Sequence, residues 1–293
     1  MITCLLFSDE FTSFTSYYLT DRLRKWFNIE FYDSTKTYNK SDVFFLVNWS
    51  ADNEKIKQLR NDNYKVIVDS LWEIPDTEED TLYSDVWFWI NESLWYQSLG
   101  YDQYVPNKVY TKRALMPLRL AHPWRVELFS TIQQEGLLDQ LLYSFVERGI
   151  TLEGTEDPDQ RNFNSLWYDS TYFSIVSESQ LCRIFITEKT FKPIAFQHPY
   201  LIYGAPKTLD FLHKHSFETF PNLFDESYDT MYNDKDRLNT IIENIKNFEL
   251  REYDSETLDK LTHNKNRFFN SDIVHGLLKS EVVDKVFEMI GRS

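Results

Sequence analysis

Residues 173–206 read FSIVSESQLCRIFITEKTFKPIAFQHPYLIYGAP. An apolar run over 172–176 has strand length, and a second, Tyr-Leu-Ile-Tyr, occupies 200–203. Between them, 188–196 carries helix-forming character with a capping residue, Thr187, in front of it. Gly204-Ala205-Pro206 then breaks the chain into a turn. Strand, helix, strand in that order predicts two parallel strands joined by a crossover helix.

The same alternation extends outward. Upstream, 114–118 reads as a strand, and 125–134 and 137–144 as helices. Downstream, 208–214 is a short helix, and Leu238, Ile241, Ile242, Ile245 and Phe248 form an amphipathic stripe. A last helix over 281–290 shows Val282, Val283, Val286, Phe287 and Ile290 on one side. The first half starts the pattern independently. Strands are predicted at 2–7, 29–32, 43–47, 66–68 and 86–90. Helices are predicted at 14–27 (Tyr17, Leu19, Leu23 and Trp26 inward), 53–60 and 92–98. The run over 43–47 is apolar without alternation, as for a strand covered on both faces. Two successive α/β units predict two Rossmann-like domains facing a cleft. Pro106-Asn107-Lys108 marks the break, giving domains 1–110 and 111–293, with the terminal helices free to pack back on the first. In such folds ligands sit beyond the C-terminal ends of the strands.

Composition narrows the function classes. The 293 residues are 42% hydrophobic and 17% aromatic, enough for a sizeable core. A net charge of -15 argues against a surface built to grip a phosphate backbone, so nucleic acid is disfavoured as a partner. The two cysteines, Cys4 and Cys182, lie in apolar surroundings and without zinc-site spacing, which suits free thiols in a reducing, cytoplasmic setting. The opening MITCLLF lacks a basic leader or a long hydrophobic span and reads as a first strand. No membrane span is expected. Neither a G-x-G-x-x-G fingerprint nor a Walker loop is present, so a generic dinucleotide or P-loop protein is the remote alternative.

The residues of the opening stretch suit a particular chemistry. Lys189, in the first helical turn, can meet a phosphate as a point charge. Glu188 can accept hydrogen bonds from a ribose diol. Glu178, at a strand end, can hold a sugar hydroxyl or order Lys189. A cap followed by an acid is also ordinary helix-start chemistry, so Thr-Glu-Lys serves equally without any ligand.

The spacing from Glu178 to Thr187-Glu188-Lys189, with Phe185 and Ile186 directly before it, resembles the donor signature of α1,3-fucosyltransferases and their relatives. That family carries Glu-Asn-Ser/Thr, a variable bridge, an aromatic, an aliphatic and Thr-Glu-Lys. The helix, strand and glycine turn at Gly204 and Pro206 follow in the family's order. The resemblance covers about residues 170–206. Here Ser179 stands where the family has Asn, Pro199 lies one place further from the glycine, and Pro193 falls inside the helix.

The resemblance implies a GT-B glycosyltransferase. A nucleoside-diphosphate sugar, GDP-fucose-like, would bind the C-terminal domain, and a glycan or other hydroxyl acceptor the N-terminal one. Inversion at the sugar is implied, with no metal and no cofactor. The donor set would be Arg125, Glu178, Thr187, Glu188, Lys189 and Gly204. Arg125 matches a family arginine near the diphosphate; a solvated helix-start residue, or an ion pair with Glu127 or Glu178, is the other reading. Arg148 and Arg161 are further candidates for that contact. The base must be a carboxylate near the acceptor hydroxyl. Glu73 is the choice, because Glu73-x-Pro75 after a strand looks like the family's acidic Glu-Ser-Pro element, and Asp69 is second. Both also read as acids in a strand-end loop. Asp225, Glu226 and Asp229 form an acidic turn without legible ligand geometry. His122 before Pro123 reads as structural. Two alternatives of other classes stand beside the transferase: a non-catalytic glycan- or nucleotide-sugar-binding module on the same fold, and a transferase acting on modified DNA bases.

Overall fold

The computed structural model describes residues 1–6, 22–48, 53–70, 81–152 and 164–291. These residues fall into two compact units, Met1–Ser98 with Asn270–Ser293, and Leu99–Phe269. The predicted division at residue 110 and the observed one at Ser98 lie on either side of the short turn Tyr101–Gln103.

The first unit holds a five-stranded parallel sheet: β1 (Thr3–Leu6), β2 (Asn28–Phe31), β3 (Val43–Asn48), β4 (Lys65–Ser70) and β5 (Thr81–Tyr83), in the order β2-β1-β3-β4-β5. Leu5 pairs with Phe45 and Phe45 with Val66, and all three are fully buried. Parallel strands lie between helical layers, which is why 43–47 shows no polar alternation. The helix Asn53–Asn61 places Ile56 and Leu59 in a cluster with Leu5, Val43, Phe45 and Val47. Phe44 faces the other way and meets Phe27 edge-on at 5.4 Å, and Phe27 in turn meets Phe287 at 5.2 Å. The chain's end thus belongs to the first unit's core.

The second unit repeats the plan with four strands: β6 (Lys112–Leu118), β7 (Leu141–Phe145), β8 (Thr171–Ser177) and β9 (Tyr200–Tyr203), all parallel, in the order β7-β6-β8-β9. In both sheets the first strand sits inside, flanked by the second and third. Chain connections leave that strand and its neighbour toward opposite faces of the sheet, opening a crevice beyond their C-terminal ends. In the second unit this switch point lies past β6 and β8. The architecture is α/β with two Rossmann-like parallel sheets, as the alternation predicted.

Two local expectations are corrected. Of residues 86–90, read as a strand, 87–90 begin a helix, Trp87–Ser98. Its buried positions include Trp87, Trp89, Ile90, Glu92, Leu94 and Tyr96, so apolar residues surround the axis and the period of 3.6 is hidden. Residues 137–144, read as a helix, form a 3-10 turn, Leu138–Gln140, followed by β7. Pairing with β6 overrides the helical propensity of that leucine-rich run. The helix expected over 14–27 lies mostly outside the described residues. Among the described residues no helix is long and apolar enough to cross a membrane.

Candidate functional site

The segments past the ends of β6 and β8 are joined around one residue, Glu178. β8 is buried along most of its length and stays in register with β9, Ser177 opposite Tyr203. The next residue, Glu178, donates its N–H to the Tyr203 carbonyl at 3.0 Å, so the ladder carries it inward. Only 1% of Glu178 is exposed. Its Oε1 accepts from the Thr187 N–H at 3.1 Å and the Thr190 hydroxyl at 2.7 Å, and its Oε2 accepts from the Thr187 hydroxyl at 2.6 Å. A carboxylate at that place satisfies a helix-start donor and complements the positive end of the dipole. Both oxygens are occupied within the protein. Through Thr187 and Thr190, Glu178 anchors the helix that carries Lys189.

That helix is Glu188–Ala195, and Thr187 is its N-cap, with Oγ1 accepting from the Lys189 N–H at 3.4 Å. The Lys189 ammonium donates to Thr187 Oγ1 at 3.1 Å and to Glu188 Oε1 at 2.6 Å. Its side chain retains 25% exposure, against 11% for that of Glu188. Burial pushes the Glu188 carboxyl up, but the Lys189 and Lys192 charges and the Lys189 hydrogen bond outweigh it, leaving it at about 2. Pro193 sits within the helix and lacks the N–H that would reach the Lys189 carbonyl. The helix stops two residues later, and Gln197 turns with φ 48°.

Arg125 comes from the helix Pro123–Gln134, which follows β6. It is 2% exposed, and its guanidinium donates to the Ser177 carbonyl at 3.0 Å and the Leu120 carbonyl at 3.5 Å. It therefore ties the end of β8 to the loop after β6. Burial draws its pKa down, opposed by Glu178, Glu188 and Glu147. The neighbouring Trp124 donates its indole N–H to the Glu178 carbonyl at 3.1 Å. His122 stacks on Trp124, with centroids 4.6 Å apart and planes at 10°. Glu147, just past β7, accepts from the Ala121 N–H at 2.6 Å.

Gly204 closes the site from β9. A Cβ there would lie 3.2 Å from Thr208 Oγ1 and 3.7 Å from Glu178 Cβ. The approach to Glu178 is ordinary contact, and the tight neighbour of a side chain here would be Thr208 Oγ1. The acidic turn beyond it serves the backbone. Asp229 accepts from the Leu209 and Asp210 N–H groups, and Glu226 from the Thr219 hydroxyl and the Phe220 N–H. Among the described residues no group of three or more His, Cys, Asp or Glu is placed to hold a metal.

Solved α1,3-fucosyltransferases resemble this chain. One matches with a TM-score of 0.46 and 10% identity over 94% of this chain and 91% of its own. One with GDP-fucose matches at 0.43 and 10%, over 92% and 91%, and one with GDP at 0.45 and 9%, over 94% and 92%. No protein-family model and no curated protein matches the sequence.

The structure thus brings Arg125, Glu178, Thr187, Glu188, Lys189 and Gly204 to one edge of the second sheet. Glu73 and Arg161 lie outside the described residues. Asp69 stands in β4, opposite Leu82 of β5, in the first unit. Sequence reasoning missed Trp124, Glu147 and Thr190 as parts of the site and gave His122 only a structural role. The signal for the first was the packing of His-Pro-Trp-Arg directly behind β6. Thr190 carried none, because a threonine in a first turn is common at any helix start.

Proposed function

We propose that the chain is a glycosyltransferase that moves a sugar from a nucleoside-diphosphate donor, GDP-fucose-like, to a glycan or other hydroxyl acceptor with inversion. One observation carries this reading. Lys189 is a partly exposed cation at the switch point of a parallel sheet, on a helix pinned by a buried carboxylate. As the bond from the sugar to the diphosphate breaks, negative charge gathers on the departing phosphate oxygens. A fixed cation held in advance lowers the energy of that charge without reorganising.

The first-turn donors point the same way. The Thr187 N–H is taken by Glu178, and those of Lys189 and Thr190 by Thr187 oxygens. The backbone of this helix start is satisfied internally, so the charge left to meet a phosphate is the Lys189 ammonium. In this reading Glu188, ionised down to about pH 2, accepts from the nucleotide ribose. Arg125 adds positive potential from beneath, and Glu178, Thr187 and Gly204 hold the frame. Glu73 takes the acceptor proton, with Asp69 as its substitute. The reading involves no metal and no cofactor, and the free cysteines Cys4 and Cys182 suit a reducing, cytoplasmic setting.

The test is a thermal-shift and calorimetric series with GDP, UDP and their sugars, followed by a nucleotide-release assay. Binding of a nucleoside diphosphate that Lys189→Ala weakens at least about tenfold supports the reading, since a phosphate–ammonium contact is charge-assisted. No binding at millimolar nucleotide overturns it. Binding without transfer to any hydroxyl acceptor makes the chain a nucleotide-sugar-binding module instead.

A further inference from the structure

Among the described residues at this edge, His122 is a titratable side chain that the fold and the proposed transfer leave without a role. We propose that His122 is a phosphate-contact residue: its imidazole takes up a proton from solvent as the diphosphate arrives and donates a hydrogen bond to it. This rests on the nucleotide-sugar reading of the site and adds to it a residue and a pH dependence.

The placement is geometric. His122 is the N-cap of the helix after β6, but its side chain makes no capping bond. Its ring lies flat on the Trp124 indole at 4.6 Å instead. That indole is held by its bond to the Glu178 carbonyl, and the Glu178 carboxylate holds Thr187, whose hydroxyl accepts from the Lys189 ammonium. A short series of fixed contacts therefore runs from the imidazole to the cation assigned to the diphosphate. The Arg125 N–H also bonds the His122 carbonyl at 2.9 Å, which fixes the backbone between the two side chains.

The charges facing the ring explain why the proton would come with the ligand. Three charges act on it: Arg125 of its own helix, Glu147 of the segment after β7, and Lys189 of the Glu188–Ala195 helix. Burial and the two cations hold the imidazole below its ordinary value, and Glu147 opposes them. The free protein therefore favours the neutral imidazole. A bound diphosphate cancels the field of Lys189 and Arg125 and adds negative charge of its own. Each change favours the imidazolium, so binding raises the pKa and must in turn strengthen as pH falls through the affected range.

The experiment is titration calorimetry of the full chain with GDP and, separately, inorganic pyrophosphate. It is run from pH 6 to 8.5 in paired buffers of different ionisation enthalpy, for the wild type and for His122→Gln and His122→Asn. The nucleotide's own ionisation is common to all three proteins and cancels in the comparison. At pH 7 the wild type should take up about half a proton more than either variant, and its affinity advantage should fall from about tenfold at pH 6 to under about twofold at pH 8. Equal proton counts and an affinity ratio constant with pH overturn the inference while leaving the nucleotide site standing. If the wild type binds neither probe at any pH, the site reading itself fails and this inference goes with it.

Discussion

The Glu178 carboxylate and the Thr187 hydroxyl meet at 2.6 Å, with both residues 1% exposed, and this contact joins the end of β8 to the helix that carries Lys189. Nine positions separate the two in the chain, and the bridge between them loops out and returns to the same spot. The geometry of the candidate site depends on that return.

Glu178→Gln should therefore cost more than its near-identical shape suggests. A carboxylate accepts at both oxygens; an amide offers one acceptor and turns a donor toward the other hydroxyl. At least one buried donor of Thr187 or Thr190 loses its partner, worth about 1–3 kcal/mol. Urea unfolding should show that loss with an unchanged m-value. A variant as stable as the wild type would mean that the carboxylate is not the anchor.

Glu188 gives a pH dependence with a definite sign. Its folded value is depressed from an ordinary 4.5 to about 2, so it contributes stability that is present above the ordinary value. That contribution fades as pH falls from about 4.5 toward about 2. Lys189→Ala removes the nearest cation and its bond to Glu188, leaving Lys192 and a backbone N–H to oppose the effect of burial. The acid limb of a stability-against-pH curve should be shallower in the variant and should level off nearer the ordinary carboxylate range, because only the folded value moves. Superimposable curves would detach Glu188 from Lys189.

Gly204 and Thr208 should show non-additive energetics. The φ of Gly204 is not in the left-handed region, so alanine there meets a steric rather than a backbone obstacle. The obstacle is Thr208 Oγ1, held in place by donating to the Ala205 carbonyl at 2.7 Å. Gly204→Ala should destabilise by about 1–2 kcal/mol, as modest overpacking does. In a Thr208→Ala background the same change should cost less, by at least about 0.5 kcal/mol in a double-mutant cycle. Additive costs would place the strain elsewhere.

The sequence made some of this legible and hid the rest for identifiable reasons. The runs Val-Phe-Phe-Leu-Val at 43–47 and Tyr-Leu-Ile-Tyr at 200–203 announce strands because both their faces are covered. Thr187 announced its cap because a threonine before an acidic first turn has few other uses. The helix Trp87–Ser98 was obscured by its own burial, which erases the polar face that marks a helix. The partners of Glu178 and Arg125 were illegible for a different reason. They are set by which loops meet past β6 and β8, and strand order is a property of the whole sheet. The guanidinium of Arg125, taken from sequence as a direct phosphate contact, bonds two backbone carbonyls, a pairing that no local pattern encodes.

Trp124 tests whether the stacked pair is part of the site or only beside it. Trp124→Phe keeps an aromatic face under His122 but removes the indole donor to the Glu178 carbonyl. A hydrogen bond of that kind contributes about 0.5–1.5 kcal/mol, so the fold should tolerate the change. The loss falls at the end of β8, where the carbonyls of Ser177 and Glu178 are held by Arg125 and Trp124. Loosening that end shifts Glu178 and with it the cap at Thr187, so nucleotide affinity should drop by more than the stability does. Calorimetry beside urea unfolding separates the two quantities. If affinity and stability fall in step, the indole serves the core alone. If affinity falls about threefold or more with stability nearly intact, the stacked pair His122 and Trp124 belongs to the ligand site.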